Sequence, residues 1–117
     1  MIKVENIKKN FDNLSILKGI NLDVQKSEII SILGASGAGK TTLLQIMGSL
    51  LEPNAGKVFI NGTDIYSLSA NKLAEFRNKN IGFVFQSFNL IAELNCVDNV
   101  ELTLGYFGMH RKNRWNF

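Results

Sequence analysis

The sequence has one cysteine and one histidine, and this scarcity excludes a disulfide framework and a Cys/His metal site. The single cysteine, Cys96, cannot close an internal disulfide, and the single histidine, His110, offers no metal-binding cluster with it. We expect Cys96 to be a small buried apolar residue. No stretch approaches the roughly 18 apolar residues of a membrane span, and the first residues lack the apolar core of a signal peptide. These absences predict a soluble, cytoplasmic protein.

Composition favours one globular domain. The chain has 117 residues, of which 45% are hydrophobic and 20% charged, enough for a sizeable core. No repeat or Pro/Gly/Ser linker divides it, so we expect a single domain over residues 1–117. The net charge of +3 is modest. A basic cluster at residues 110–114 is interpreted first as solvated surface, with a patch for lipid headgroups or nucleic acid as the alternative.

Alternating and apolar patterns predict the strands. Residues 2–4 and 20–24 alternate with a period of two, which predicts a small antiparallel pair. Residues 28–33 and 81–85 are mostly apolar, as buried strands of a parallel sheet are. Residues 57–60, the turn Asn61-Gly62 and residues 63–65 predict a hairpin.

Helices are predicted between these strands. One begins at Lys40 and runs without breakers to Gly48, before Pro53 forces a stop. A second follows a cap at Ser69 and continues to about residue 78. The apolar spacing of residues 97–104 suggests a third, short helix. The order around residue 34 is therefore strand, glycine loop and helix.

The segment between the first buried strand and the first helix carries the main motif. It satisfies Gly-x-x-x-x-Gly-Lys-Ser/Thr at every fixed position, as a phosphate-binding P-loop does. Its residues are Gly34, Ala35, Ser36, Gly37, Ala38, Gly39, Lys40 and Thr41. The glycines allow backbone N–H groups to turn inward as an anion nest.

The motif predicts MgATP binding. Lys40 places an ammonium against the β and γ phosphates, and the helix N-terminus adds partial positive charge at the same place. The Thr41 hydroxyl is the predicted Mg²⁺ ligand, and Thr42 is included among the nucleotide contacts. A chance glycine-rich turn is the alternative. An NAD-type fingerprint fits worse, because Thr42 stands where that motif needs glycine or alanine.

From residue 1 to about residue 106 the chain resembles the nucleotide-binding subunits of ATP-binding cassette (ABC) transporters. The resemblance implies a P-loop NTPase of α/β class, with an antiparallel β subdomain and part of a RecA-like parallel core. Phe11 lies where the family keeps an aromatic that stacks on adenine, and a phenylalanine ring can do this. The alternative for Phe11 is a core aromatic.

Gln86 resembles the glutamine of the family's Q-loop. This implies that its amide oxygen reaches Mg²⁺ or the attacking water, which makes Lys40 and Gln86 the candidate catalytic residues. Two positions depart from the family pattern. Ser27 replaces a usual glycine and puts the turn geometry in doubt, and Ala92 replaces a common proline.

Two branches of the family match different parts of the chain. Residues 34–48 and 76–86 resemble the lipoprotein-releasing ATPase, whereas residues 87–91 and 98–102 are closer to the macrolide-export type. Both branches imply extrusion of lipoprotein, peptide or drug at the inner membrane. The resemblance also implies a peripheral position on the cytoplasmic face, permease subunits docked on the region after Gln86, and a homodimer of ATPase subunits.

The signature motif, the Asp-Glu strand and the switch histidine of the family are not found in these 117 residues. In the family, those elements help to position the attacking water and supply part of the charge compensation on the γ phosphate. We therefore expect a truncated ABC domain that binds MgATP without turnover and is aggregation-prone. The rival functions are a soluble ABC ATPase acting on ribosomes or DNA and a non-catalytic ATP-binding remnant. The short region after Gln86 favours the transporter and no nucleic-acid partner.

Overall fold

The computed structural model describes residues 1–87 and 89–106. Contacts within it divide the chain into two compact units, Met1–Arg77 and Asn78–Phe117. Phe88, within the segment 87–91 that resembles the macrolide-export type, and the basic cluster predicted at residues 110–114 lie outside the described residues.

The first unit contains a four-stranded antiparallel sheet. Its strands are β1 (Ile2–Phe11), β2 (Leu14–Val24), β3 (Ala55–Ile60) and β4 (Thr63–Asp64), in the order β2-β1-β3-β4. Ile2 pairs with Val24, and Val4 with Leu22, so the predicted antiparallel pair is confirmed. Each of these two strands is longer than its alternating stretch.

The Asn61-Gly62 turn joins β3 to β4 as predicted. Asn61 has a φ of 50° and Gly62 a φ of 82°. Two central residues with positive φ are the mark of a type I′ turn, whose twist matches that of the strands. The returning strand is shorter than predicted, because a 3-10 turn begins at Ile65.

Five side chains at the centre of the first unit are almost completely buried: Val4, Ile7, Ile46, Val58 and Ile65. They come from β1, β3, the first helix and the 3-10 turn, so the core joins the sheet to the helix that follows the glycine loop. Burying each such side chain stabilises the fold by roughly 1.5–3 kcal/mol.

The helices are α1 (Lys40–Met47), α2 (Ala70–Asn80) and α3 (Cys96–Tyr106), which confirms the three predicted helices. Ser69 directly precedes α2, and its carbonyl accepts a hydrogen bond from the Leu73 N–H at 2.8 Å. Among the described residues, no helix has both the length and the apolar character needed to cross a membrane. The prediction for Cys96 was wrong, since this residue is exposed.

The two buried strands predicted at residues 28–33 and 81–85 are absent from the structure. Ile29 is 94% exposed, Leu33 89% and Val84 fully exposed. A strand exists only where a neighbour completes its hydrogen-bonded ladder, and within the described residues neither segment has one. Ser27, just before the first segment, holds a positive φ of 64°, so the turn keeps the geometry that a glycine would favour.

Candidate nucleotide-binding site

The glycine loop leads into α1 through residues in the left-handed region. Gly37 has a φ of 77° and Gly39, at the helix N-cap, a φ of 86°. The Ala38 N–H donates to the Ala35 carbonyl at 3.2 Å, and the Leu43 N–H donates to the Gly39 carbonyl at 2.8 Å as the helix begins. The loop therefore turns tightly and places the N-terminus of α1 at its end.

Gly39 is required by space as well as by conformation. A Cβ at this position would come within 2.9 Å of Ile16 Cγ2 and of Leu17 Cδ2, both on β2. A Cβ on Gly37 would meet no atom of the described residues within 4 Å. Gly39 thus sets the close approach of the loop to the sheet, whereas Gly37 supplies only a backbone angle.

The Lys40 side chain folds back over the loop. Its Nζ donates to the Gly34 carbonyl at 2.9 Å and to the Ala35 carbonyl at 2.7 Å. Both acceptors are neutral, and hydrogen bonds from an ammonium to a charged phosphate oxygen are stronger. The ammonium is therefore held at the loop by bonds that it can exchange for phosphate oxygens.

The loop and Phe11 border the same cavity, which has a volume of about 190 Å³. Its lining residues are Phe11, Ile16, Gly37, Gly39, Lys40, Thr41 and Thr42. Phe11 is 46% exposed, so it is not a core aromatic. The cavity is therefore bordered both by an aromatic side chain at the end of β1 and by the start of α1. More than twenty residues separate these two parts of the chain in the sequence.

Lys9 is a neighbour of Phe11 that the sequence analysis missed. Its Nζ lies 5.3 Å from the centroid of the Phe11 ring, over the ring. The same Nζ donates to the Glu52 carbonyl at 2.7 Å. Residues two apart on a strand share a face, so the spacing on β1 is a signal that could have identified the pair.

The remaining predicted residues lie outside the cavity lining. Gly34, Ala35, Ser36 and Ala38 are exposed along the loop. Gln86 belongs to the second unit, where it is exposed at a bend after residues 81–85.

Two side chains hold the carboxyl end of α1. The Tyr66 hydroxyl lies 2.7 Å from both the Ile46 and the Leu51 carbonyl oxygens, and donates its one proton to either. The Arg77 guanidinium donates to the Ser49 carbonyl at 3.0 Å. Burial, with a smaller contribution from the charge of Glu52, raises the pKa of Tyr66 well above its usual range. Tyr66 therefore stays protonated as a donor.

A larger, shallower groove of about 430 Å³ crosses β1 and β2. Its lining includes the ion pair between Lys3 and Glu5, whose nitrogen and oxygen are 2.7 Å apart on the surface. The glycine loop lies elsewhere, so the smaller cavity is the candidate site.

Comparison with known sequences agrees with this geometry. The ABC transporter family model matches residues 17–116. The lipoprotein-releasing system ATP-binding protein LolD of Bacteroides thetaiotaomicron is 53% identical over 112 residues, which cover 96% of this chain and 51% of LolD. The macrolide export ATP-binding/permease protein MacB of Vibrio parahaemolyticus is 39% identical over 118 residues, covering 97% of this chain and 18% of MacB. The chain thus spans about half the length of this LolD relative.

Solved structures give the same fold. The dimeric structure of MJ0796, a bacterial ABC transporter cassette, matches with a TM-score of 0.90 and 39% identity over 97% of this chain and 52% of that chain. The post-hydrolysis structure of MJ0796, bound to ADP and Pi, matches with a TM-score of 0.86 and 38% identity over the same shares of both chains. The fold is therefore that of the P-loop part of an ABC ATPase. On both sequence and fold, the chain belongs to the ABC transporter family of ATP-binding proteins.

Proposed function

We propose that the chain is the MgATP-binding part of an ABC transporter ATPase that couples ATP hydrolysis to extrusion of lipoprotein, peptide or drug. The observation that carries this proposal is the cavity in which Phe11 meets the glycine loop. The names of LolD and MacB support the substrate class, since one releases lipoproteins and the other exports macrolides.

The loop and Lys40 bind the phosphates in this proposal. The ammonium exchanges its bonds to the Gly34 and Ala35 carbonyls for oxygens of the β and γ phosphates. The first N–H groups of α1, at Thr41 and Thr42, have no acceptor within the helix and point toward the anion. Positive charge and oriented amides together compensate the triphosphate.

The residues at the cavity also fit Mg²⁺. Thr41 is exposed in the first turn of α1 and lines the cavity, so its hydroxyl oxygen is available to a hard cation that accepts oxygen ligands. Gln86 lies in the second unit, and its role at Mg²⁺ stays a prediction. Bound Mg²⁺ would neutralise charge on the β and γ phosphates.

Phe11 holds the adenine in this proposal. A partly exposed ring beside the phosphate loop offers a flat face on which a base can stack. Stacking contributes roughly 1–3 kcal/mol per base without reading its edges, so this contact favours a nucleotide over the bare triphosphate.

The second unit is the proposed docking surface for membrane permease subunits. Among its described side chains, five large apolar ones after Gln86 are exposed: Leu90, Ile91, Val97, Val100 and Leu102. Exposed apolar side chains of this kind suit a protein interface. We further propose that the ATPase subunits pair as a homodimer, as MJ0796 does, and lie peripherally on the cytoplasmic face of the inner membrane.

The test is ATP hydrolysis by the whole gene product reconstituted with its membrane subunits. Lys40→Ala removes the ammonium at the phosphates. We expect the rate of hydrolysis to fall by about tenfold or more, because one or two hydrogen bonds to a charged group are lost. Lys26→Ala is the matched control, because it removes one positive charge from an exposed turn outside the cavity lining. Hydrolysis that survives Lys40→Ala, or that does not depend on the membrane subunits, would contradict the proposal.

A further inference from the structure

Phe11 stands at the end of β1 with nearly half of its surface exposed. An exposed aromatic side chain loses rotamer freedom when a base stacks on it, and this loss weakens binding. A contact that fixes the ring before the nucleotide arrives reduces that loss. Lys9 makes such a contact.

The Lys9 ammonium has two contacts, one with the Phe11 ring and one with the Glu52 carbonyl. It lies 5.3 Å from the centroid of the Phe11 ring, within the range of a cation–π interaction. It also donates to the Glu52 carbonyl at 2.7 Å, beyond the end of α1. The cation over the ring is therefore itself held by the backbone.

The Lys9 side chain is not part of the cavity lining, whereas Phe11 is. Lys9 therefore acts on the ring from outside the cavity and leaves the cavity side for a ligand. We propose that Lys9 is a positioning residue, which fixes the Phe11 ring for stacking with the adenine base. This inference rests on the proposed function, because it requires Phe11 to be the base contact.

Lys8 provides a matched control. It is the neighbouring lysine on β1, it is exposed, and it lies on the opposite face of the strand from Lys9. Lys8→Met and Lys9→Met remove the same charge and keep a similar unbranched stem. Only the second removes the cation over the ring.

The experiment measures two dissociation constants for each variant of the full chain, one for MgATP and one for magnesium tripolyphosphate, which lacks the base. We expect Lys9→Met to weaken MgATP binding about two- to fivefold, because the ring is then no longer fixed beforehand and loses rotamer freedom when the base stacks on it. Tripolyphosphate binding should stay unchanged, since it does not use the ring. Lys9→Arg, which keeps a cation over the ring, should bind MgATP as the wild type does.

A double-mutant cycle with Phe11→Ala separates positioning from a general effect. If Lys9 acts through the ring, Lys9→Met has no further effect on MgATP binding once Phe11 is alanine. An equal loss in both backgrounds, an equal loss for tripolyphosphate, or tighter MgATP binding by Lys9→Met would each overturn the inference.

The same data distinguish failure of this inference from failure of the proposed function. If Phe11→Ala weakens MgATP binding and Lys9→Met does not, only the role of Lys9 is overturned. If Phe11→Ala leaves MgATP binding intact, the stacking role of Phe11 fails and the inference fails with it. If tripolyphosphate does not bind the wild type, the phosphate role of the loop fails.

Discussion

At the scale of single residues, the two loop glycines differ in what a side chain would meet. Both hold a left-handed backbone, Gly37 with a φ of 77° and Gly39 with a φ of 86°. Only Gly39 faces side chains of β2, which lie 2.9 Å from the place that a Cβ would occupy. The motif spacing predicted that glycines are needed at both positions. It could not show that Gly37 is needed for its backbone angle alone and Gly39 also for lack of room for a Cβ.

Alanine substitutions should separate them. Gly37→Ala adds only backbone strain, about 1–2 kcal/mol. Gly39→Ala adds the same strain and also forces its methyl group against Ile16 and Leu17. With this overpacking, we expect the free energy of unfolding to fall by about 2–5 kcal/mol. Urea unfolding measures both free energies.

Each glycine variant is the control for the other, because both remove a glycine from the same loop. Equal losses would mean that the close approach to β2 carries no energetic weight. A larger loss for Gly37→Ala would contradict the loop geometry.

The residue-scale contacts that the sequence did not predict are long-range. Lys9 donates to the Glu52 carbonyl, and the Tyr66 hydroxyl lies within hydrogen-bond distance of the Ile46 and Leu51 carbonyls. Neither contact has a motif, because each depends on how the loop after α1 returns to the sheet. By contrast, the glycine loop is a local pattern, and residues 34–41 could be assigned from their spacing alone.

At the scale of elements, α1 ends in a Schellman motif with a serine where glycine is usual. The Leu50 N–H donates to the Gln45 carbonyl at 2.8 Å, and the Ser49 N–H donates to the Ile46 carbonyl at 3.0 Å. Ser49 holds a φ of 58°. Its hydroxyl is buried, and the structure gives it no hydrogen-bond partner among the described residues.

Two substitutions at Ser49 should stabilise the chain by different amounts. Ser49→Ala removes the buried hydroxyl, which we expect to raise the free energy of unfolding by about 1 kcal/mol. Ser49→Gly also relieves the left-handed strain, about 1–2 kcal/mol, against a glycine entropy cost of about 0.4–1 kcal/mol. The glycine variant should therefore have the higher midpoint in urea. A destabilising Ser49→Ala would show that the hydroxyl has a partner.

The elements also show where sequence patterns fail. Helices were predicted well, because their hydrogen bonds close within the segment and breakers mark their ends, as Gly39 and Gly48 do for α1. The strands at residues 28–33 and 81–85 were predicted from apolar composition alone. Their formation depends on partners elsewhere in the chain, and that information is absent from a local window.

At the scale of the whole molecule, the first unit contains the cavity, the loop and Phe11, whereas Gln86 lies in the second. The family and its fold could be predicted, because the loop, its flanking strand pattern and the Q-loop segment lie at the family's spacing, and the match to residues 17–116 confirms this. The single-domain organisation, the roles of the site residues and the aggregation tendency stay predictions. The exposed apolar residues Ile29, Leu33 and Val84 are the physical ground for the last of these.

The most direct test of the central claim is a calorimetric titration of the chain with MgATP, for the wild type and for Lys40→Ala. The account predicts saturable binding at one site by the wild type, because the cavity, the loop and the Lys40 ammonium all lie within the first unit. Binding should weaken at least about tenfold in Lys40→Ala and stay unchanged in Lys26→Ala. Equal affinity of the wild type and Lys40→Ala, or no binding by the wild type, would contradict the account.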